Sequence, residues 1–155
     1  MPLLETLRFG ALEYPPAGAI EFPGGLPGFE HLRRFVLVEQ APLAPLVFLQ
    51  SLETPDLCFP AVPVGAIDPQ YELEISREDL EILNLDPSRQ PEVGREVVCL
   101  AIVAARTGPP TANLLAPIVI NLSRRLGVQA VRADARYSHC HCWGETPQEG
   151  TQPCS

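Results

Sequence analysis

This 155-residue sequence predicts a mainly β domain, a sandwich or small antiparallel barrel with one or two short helices. Three observations carry that reading. The 18 prolines are spread along the chain, which breaks long helices and suits many short strands and turns. Apolar runs are of strand length and recur between turn signals every 8–12 residues or so. A 46% hydrophobic and 19% charged composition belongs to a folded chain with a core, and the length suits one domain.

Taken in order, residues 5–14 alternate loosely and read as a first strand, and residues 19–22 as a second. The loop at residues 25–30 is tight because Gly and Pro fix its dihedrals, with Leu26 and Phe29 as apolar anchors. Residues 31–34 suit a helical turn, and residues 35–39 and 46–52 suit strands. Residues 57–64 hold both Pro60 and Pro63, which argues for an edge or bulged strand. Strict alternation places Tyr71, Leu73 and Ile75 on one face, the pattern of a half-buried strand.

Ser76, followed by Glu78 and Asp79, has the composition of a helix N-terminus, and Asp86-Pro87 ends that helix. The continuously apolar residues 97–104 suit a central strand. Residues 107–110 lead as a turn into Asn113, Pro117, the apolar Ile118-Val119-Ile120 and Asn121. Pro117 pushes the residue before it into extended backbone, and asparagine hydrogen-bonds nearby backbone, so this stretch reads as a bracketed core strand. Residues 128–132 form the last strand, with Tyr137 a late anchor. Residues 1–137 thus read as one domain, and residues 138–155 as a mobile tail.

The net charge is −8 and all 11 cations are arginine. That balance argues against nonspecific binding of nucleic acid or an anionic membrane and suits a basic protein partner. Arg33-Arg34 and Arg124-Arg125 read as salt-bridged surface pairs. No secretory pattern opens the chain and no apolar run has the length of a membrane span. Five cysteines without a disulfide spacing favour a reducing, cytoplasmic setting.

Catalytic readings are weak. Cys58 and Cys99 lie in apolar runs that blunt reactivity, and His31 is the only histidine before the tail. Glu72/Glu74 and Glu78/Asp79/Glu81 read as a solvated acidic face. His139, Cys140, His141 and Cys142 carry zinc-ligating types, with Cys154 as a further ligand, and form the alternative reading as a metal-binding domain or zinc enzyme. Adjacent residues on a strand point to opposite faces, however, so these four cannot close a tetrahedron by themselves. No cofactor is expected.

Three blocks occur in order: Phe22-Pro23-Gly24-Gly25-Leu26-Pro27-Gly28-Phe29-Glu30, then Leu49-Gln50-Ser51, then residues 113–121 with Gly127-Val128-Gln129. Together they closely resemble the FliW family of flagellar assembly factors over residues 7–137. The resemblance implies a noncatalytic, cytoplasmic, β-barrel-like protein, monomeric when free. It implies binding to the translational repressor CsrA, relieving repression of flagellin mRNA, and binding to flagellin in a feedback switch, without direct contact to nucleic acid or membrane. The block residues Leu26, Pro27, Gly28, Phe29, Glu30, Gln50, Ser51, Asn113, Pro117 and Asn121 are the candidate partner-binding positions.

Overall fold

The computed structural model describes residues 3–104, 109–134 and 136–142. The turn expected at Thr107-Gly108, and the tail from Trp143 including Cys154, lie outside the described residues. Strands β1 (Leu3–Thr6) and β2 (Gly10–Glu13) form a separate antiparallel hairpin. The single strand expected over residues 5–14 is thus two. Thr6 Oγ1 accepts from Phe9 N–H and donates to the Gly10 carbonyl, and Gly10 has φ +63°, so the chain reverses there.

The main sheet contains β3 (Ile20–Glu21), β4 (Arg34–Glu39), β5 (Val47–Ser51), β6 (Cys58–Pro63), β7 (Val98–Ala104), β9 (Ile118–Asn121) and β10 (Leu126–Gln129). These pair in the order β7-β6-β5-β4-β3-β10-β9, and β9 pairs again with β7, closing a seven-strand barrel. Every pairing is antiparallel except β3 with β10. A branch leaves β7 through β8 (Thr111–Ala112) to β11 (His141–Cys142). Residues 141–142, expected in the tail, therefore pair with the sheet, and Leu114 N–H donates to Ser138 O.

Alternation along the strands divides the core in two. Ile20, Phe22, Phe35, Leu49, Leu100, Ile118 and Ile120 fill the barrel. Cys99, Ala101, Val119 and Val128 point outward and pack beneath Ile75, Leu80 and Leu83. Both faces of β7 and β9 are covered, which is why their sequences are apolar without alternation. Burial pushes the Cys99 thiol up to about 12 and raises Cys58, so both are poor nucleophiles.

Several further expectations change. β6 is a barrel strand between β5 and β7, not an edge. It pairs with β5 through residues 58–61 and with β7 through residues 61–63. Pro60 and Pro63 each fall where the ladder runs on one side only, so the missing N–H costs no bond. Residues 31–34 form no helical turn; Arg34 already starts β4.

Tyr71 to Ile75 alternate in burial as expected but belong to no strand. Side chains replace the ladder. Tyr71 Oη donates to Leu114 O, Tyr137 Oη accepts from Glu72 N–H, and Gln90 both accepts from Ile75 N–H and donates to its carbonyl. Arg132, with a side chain 1% exposed, donates to Glu72 O and to both oxygens of Asp134. Its guanidinium lies 4.8 Å from the Tyr137 ring centroid. Glu72 and Glu74 stay largely exposed, as a solvated acidic face requires, while Glu72 pairs with Arg136 at 2.8 Å and Glu74 approaches Arg132 at 3.8 Å.

After α1 (Val64–Ile67), helix α2 (Arg77–Ile82) starts where Ser76 Oγ accepts from Asp79 N–H. It ends earlier than Asp86-Pro87. Asn84 takes φ +59°, and the amides of Asn84 and Leu85 bond back to Glu81 and Leu80, a Schellman closure. Arg33, Arg34, Arg124 and Arg125 are exposed and, among the described residues, make no ion pair.

Candidate functional site

Two of the three sequence blocks meet at one place. A shallow groove of about 240 Å³ is lined by Gly24, Gly25, Pro27 and Glu30 from the first block, Val128 and Gln129 from the third, and Asp79 and Ile82 of α2. Contact between the blocks continues below the surface. Phe22 is fully buried, stands edge-on to Phe35 at 5.2 Å, and presses on Gly127, where a Cβ would lie 2.6 Å from the ring. Only glycine lets β10 approach Phe22 this closely.

The loop is shaped by its own backbone. Gly25 N–H donates to Phe22 O, and Leu26 and Phe29 exchange backbone bonds. Gly25 has φ +68°, and a Cβ there would meet the Glu30 carbonyl oxygen at 2.5 Å. Leu26 is buried in the barrel and Phe29 stacks edge-on with Phe59 at 5.6 Å, leaving Pro27, Gly28 and Glu30 exposed. Glu30 accepts from Gly28 N–H at 2.9 Å, and that bond holds its carboxyl below the usual range. The Gly28 amide resonance is therefore expected to titrate below pH 4.5, the ordinary glutamate value, with the bond present above that range and lost as pH falls through the lowered one. A titration at or above the free-glutamate value in an NMR pH series would contradict this.

Across the groove, burial raises the Asp79 carboxyl, and Glu78 and Glu81 on the same helix are exposed. Among the described residues, no cation lines the groove. Ile82 is 37% exposed beside these acids. The result is an acidic rim around a small apolar floor, suited to a basic partner carrying an apolar anchor.

The remaining candidate residues support the fold from buried or half-buried positions. Gln50 is fully buried, and its Nε2 donates to the carbonyls of Ser51, Pro55 and Leu57. Ser51, also fully buried, accepts from Glu53 and Thr54 N–H, which fixes the turn into β6. Asn113 Oδ1 accepts from Leu115 and Ala116 N–H, and buried Pro117 receives Ala130 N–H on its carbonyl. Asn121 is 3% exposed; its Nδ2 donates to Leu83 O at 2.7 Å and its Oδ1 accepts from Ser123 Oγ.

Asn121→Ala would strand the buried Leu83 carbonyl, so a loss of about 1–3 kcal/mol is expected in urea unfolding. Asn121→Asp should cost a similar amount, because a carboxylate cannot donate. A variant with unchanged stability would remove the structural role.

At the other end of the chain, β11 sets His141 opposite Ala112 and Cys142 opposite Thr111. Among the described residues, no group of three or more His, Cys, Asp or Glu converges in a way that could hold a metal. His139, Cys140, His141 and Cys142 are therefore not assembled into a site by the described part of the fold. Asp79, Ile82, Val128 and Gln129 are groove residues that the candidate positions omit. Ile82 carried a usable signal, since it stands off the Leu80/Leu83 stripe of an otherwise charged helix face.

The family sequence model described as FliW protein matches residues 3–142. A flagellar assembly factor FliW from Thermosipho africanus is 34% identical over 137 residues, covering 86% of this chain and 90% of its own. Another from Heliobacterium modesticaldum is 35% identical over 138 residues, covering 89% and 88%. One from Desulfitobacterium hafniense strain Y51 is 33% identical over 153 residues, covering 95% and 98%. A crystal structure of the flagellar assembly factor FliW superposes with a TM-score of 0.78 at 31% identity, covering 91% of this chain and 96% of that one. No helix among the described residues is long and apolar enough to cross a membrane. With a family model matched over residues 3–142 and relatives 33–35% identical over most of both chains, this chain belongs to the FliW family of flagellar assembly factors.

Proposed function

We propose that this protein is a noncatalytic, cytoplasmic regulator that binds CsrA and so relieves repression of flagellin mRNA, with flagellin as its second, competing partner. One observation carries the CsrA half: the first and third blocks meet at a groove whose Glu30 and Asp79 face no lining cation and whose floor includes exposed Ile82. A basic RNA-binding dimer is the electrostatic complement of that rim, and Ile82 offers the apolar contact that holds it. Pro27, Gly28 and Glu30 act as contact residues, while Leu26, Gln50, Ser51, Pro117 and Asn121 hold the surface in shape from their buried positions.

Calorimetric titration with purified CsrA tests this reading. Glu30→Lys/Asp79→Lys is expected to weaken binding at least about tenfold, roughly 1.4 kcal/mol, with most of the melting temperature retained. Raising salt should weaken the parent complex in the same direction. Unaltered affinity in the folded double variant would move CsrA off this groove, and no complex with the parent at micromolar concentration would remove CsrA as a partner.

A further inference from the structure

Arg33-Arg34 and Arg124-Arg125 are far apart in sequence, yet the fold sets them on either side of the two-residue strand β3. Successive amides at the end of β3 and just after it hold both pairs: Glu21 N–H donates to Arg125 O at 2.9 Å and Phe22 N–H to Arg33 O at 2.7 Å. Arg34 is in register with Glu21, and Glu21 with Leu126. Strands spaced about 4.8 Å apart put the two arginine backbones about 10 Å from one another.

All four side chains are exposed, and among the described residues none makes an ion pair. Among the described residues, register and hydrogen bonds set two carboxylates against them: Glu21, exposed on β3 itself, and Glu53, which accepts from the backbone amides of Arg33 and Arg34. Four guanidinium groups against two carboxylates make a local basic strip on a chain whose net charge is −8.

We propose that this strip docks an acidic segment of a protein partner, with carboxylates bridging the Arg33-Arg34 and Arg124-Arg125 pairs. Carboxylate is the group that guanidinium binds in bidentate fashion, and arginine's weak hydration suits such contacts. Acids at alternate positions of an extended chain stand about 7 Å apart, a step that straddles Glu21. A continuous phosphate backbone fits less well. Glu21 stands in its path, the overall charge repels it, and the aromatic rings within the strip, Phe22 and Phe35, are buried and cannot stack bases. The strip shares no residue with the acidic groove, and the inference does not rest on the proposed function.

The test is fluorescence anisotropy with two labelled probes, a hexaglutamate peptide and a hexauridine RNA, at about 20 mM salt where surface charge is weakly screened. Hexaglutamate should bind the parent and lose at least about tenfold in affinity with Arg33→Ser/Arg34→Ser/Arg124→Ser/Arg125→Ser. The control Arg77→Ser/Arg95→Ser, which removes two cations elsewhere, should bind as the parent does. If the fourfold variant melts early, Arg124→Ser/Arg125→Ser alone, at an exposed turn, supplies the same comparison. No binding by the parent, an equal loss in the control, or tighter binding of the RNA than of the peptide would each overturn the proposal.

Discussion

Arg132→Ala is expected to lower unfolding stability by about 2–3 kcal/mol, or roughly 4–12 °C in melting temperature for a chain of this size. The Arg132 side chain is 1% exposed, yet it carries a charge at the junction of three segments. Its guanidinium holds Asp134 through two bonds of 2.8 and 3.0 Å, caps the Glu72 carbonyl and lies against Tyr137. Truncation leaves the carbonyl and carboxylate without their donor and removes the cation from the ring. Asp134 is 44% exposed, so water recovers part of its loss, which keeps the figure below that of a fully buried pair.

Residues 71–75 should respond first, because side chains rather than a strand ladder hold them. Hydrogen exchange at Glu72 and Ile75 is expected to quicken before exchange in β7. Arg132→Lys should recover only part of the loss, since an ammonium lacks the planar fork. Uniform loss of protection across the barrel, or a melting shift under about 2 °C, would remove Arg132 from this role.

Acid should act on the same junction. The Arg132 and Arg136 side chains hold the Asp134 and Glu72 carboxyls below their ordinary ranges. A lowered folded value stabilises the fold above the unfolded value, and that contribution is lost as pH falls through the lowered one.

The second large effect concerns Phe22. Phe22→Ala should cost about 3–4 kcal/mol, because a fully buried ring disappears from the barrel interior. Gly127→Ala should cost about 1–3 kcal/mol for the opposite reason, since its methyl would enter the ring. The two positions are therefore coupled with a definite sign. Phe22→Leu/Gly127→Ala should lose less than the sum of Phe22→Leu and Gly127→Ala, because the smaller side chain makes room for the new methyl. Additive losses in urea unfolding would show that the contact does not limit the approach of β10. The same contact joins the two blocks that line the groove, so Phe22→Ala and Gly127→Ala should also weaken the CsrA binding proposed for it.

Much of the fold could be read along the chain because its cause is local. Ser76 caps α2, the run at residues 97–104 is apolar on both faces, and the Gly-Pro loop at residues 25–30 sets its own turn. Local signals mislead where a distant segment decides the outcome. Tyr71, Leu73 and Ile75 alternate as a strand does, but Gln90, Arg132 and Tyr137 supply the bonds that a neighbouring strand would have made. Pro60 and Pro63 suggest an edge or bulged strand, yet β6 lies between two neighbours and changes partners between the prolines, a staggering that a strand's own sequence does not encode.

The candidate site divides along the same line. The three blocks, the acidic balance and the apolar setting that blunts Cys58 and Cys99 were all visible in the residues. Which block residues face solvent was not, because burial depends on barrel closure. Closure and the layer packed outside it bury Leu26, Gln50, Ser51, Pro117 and Asn121 and leave Pro27, Gly28 and Glu30 exposed. It also brings Gly127 under Phe22 and sets Arg125 across β3 from Arg33. By itself the sequence determined the β class, the acidic charge and the family blocks, since composition and short-range backbone chemistry set them. Tertiary structure alone decided which of those residues form a surface, since that requires strands far apart in sequence to meet.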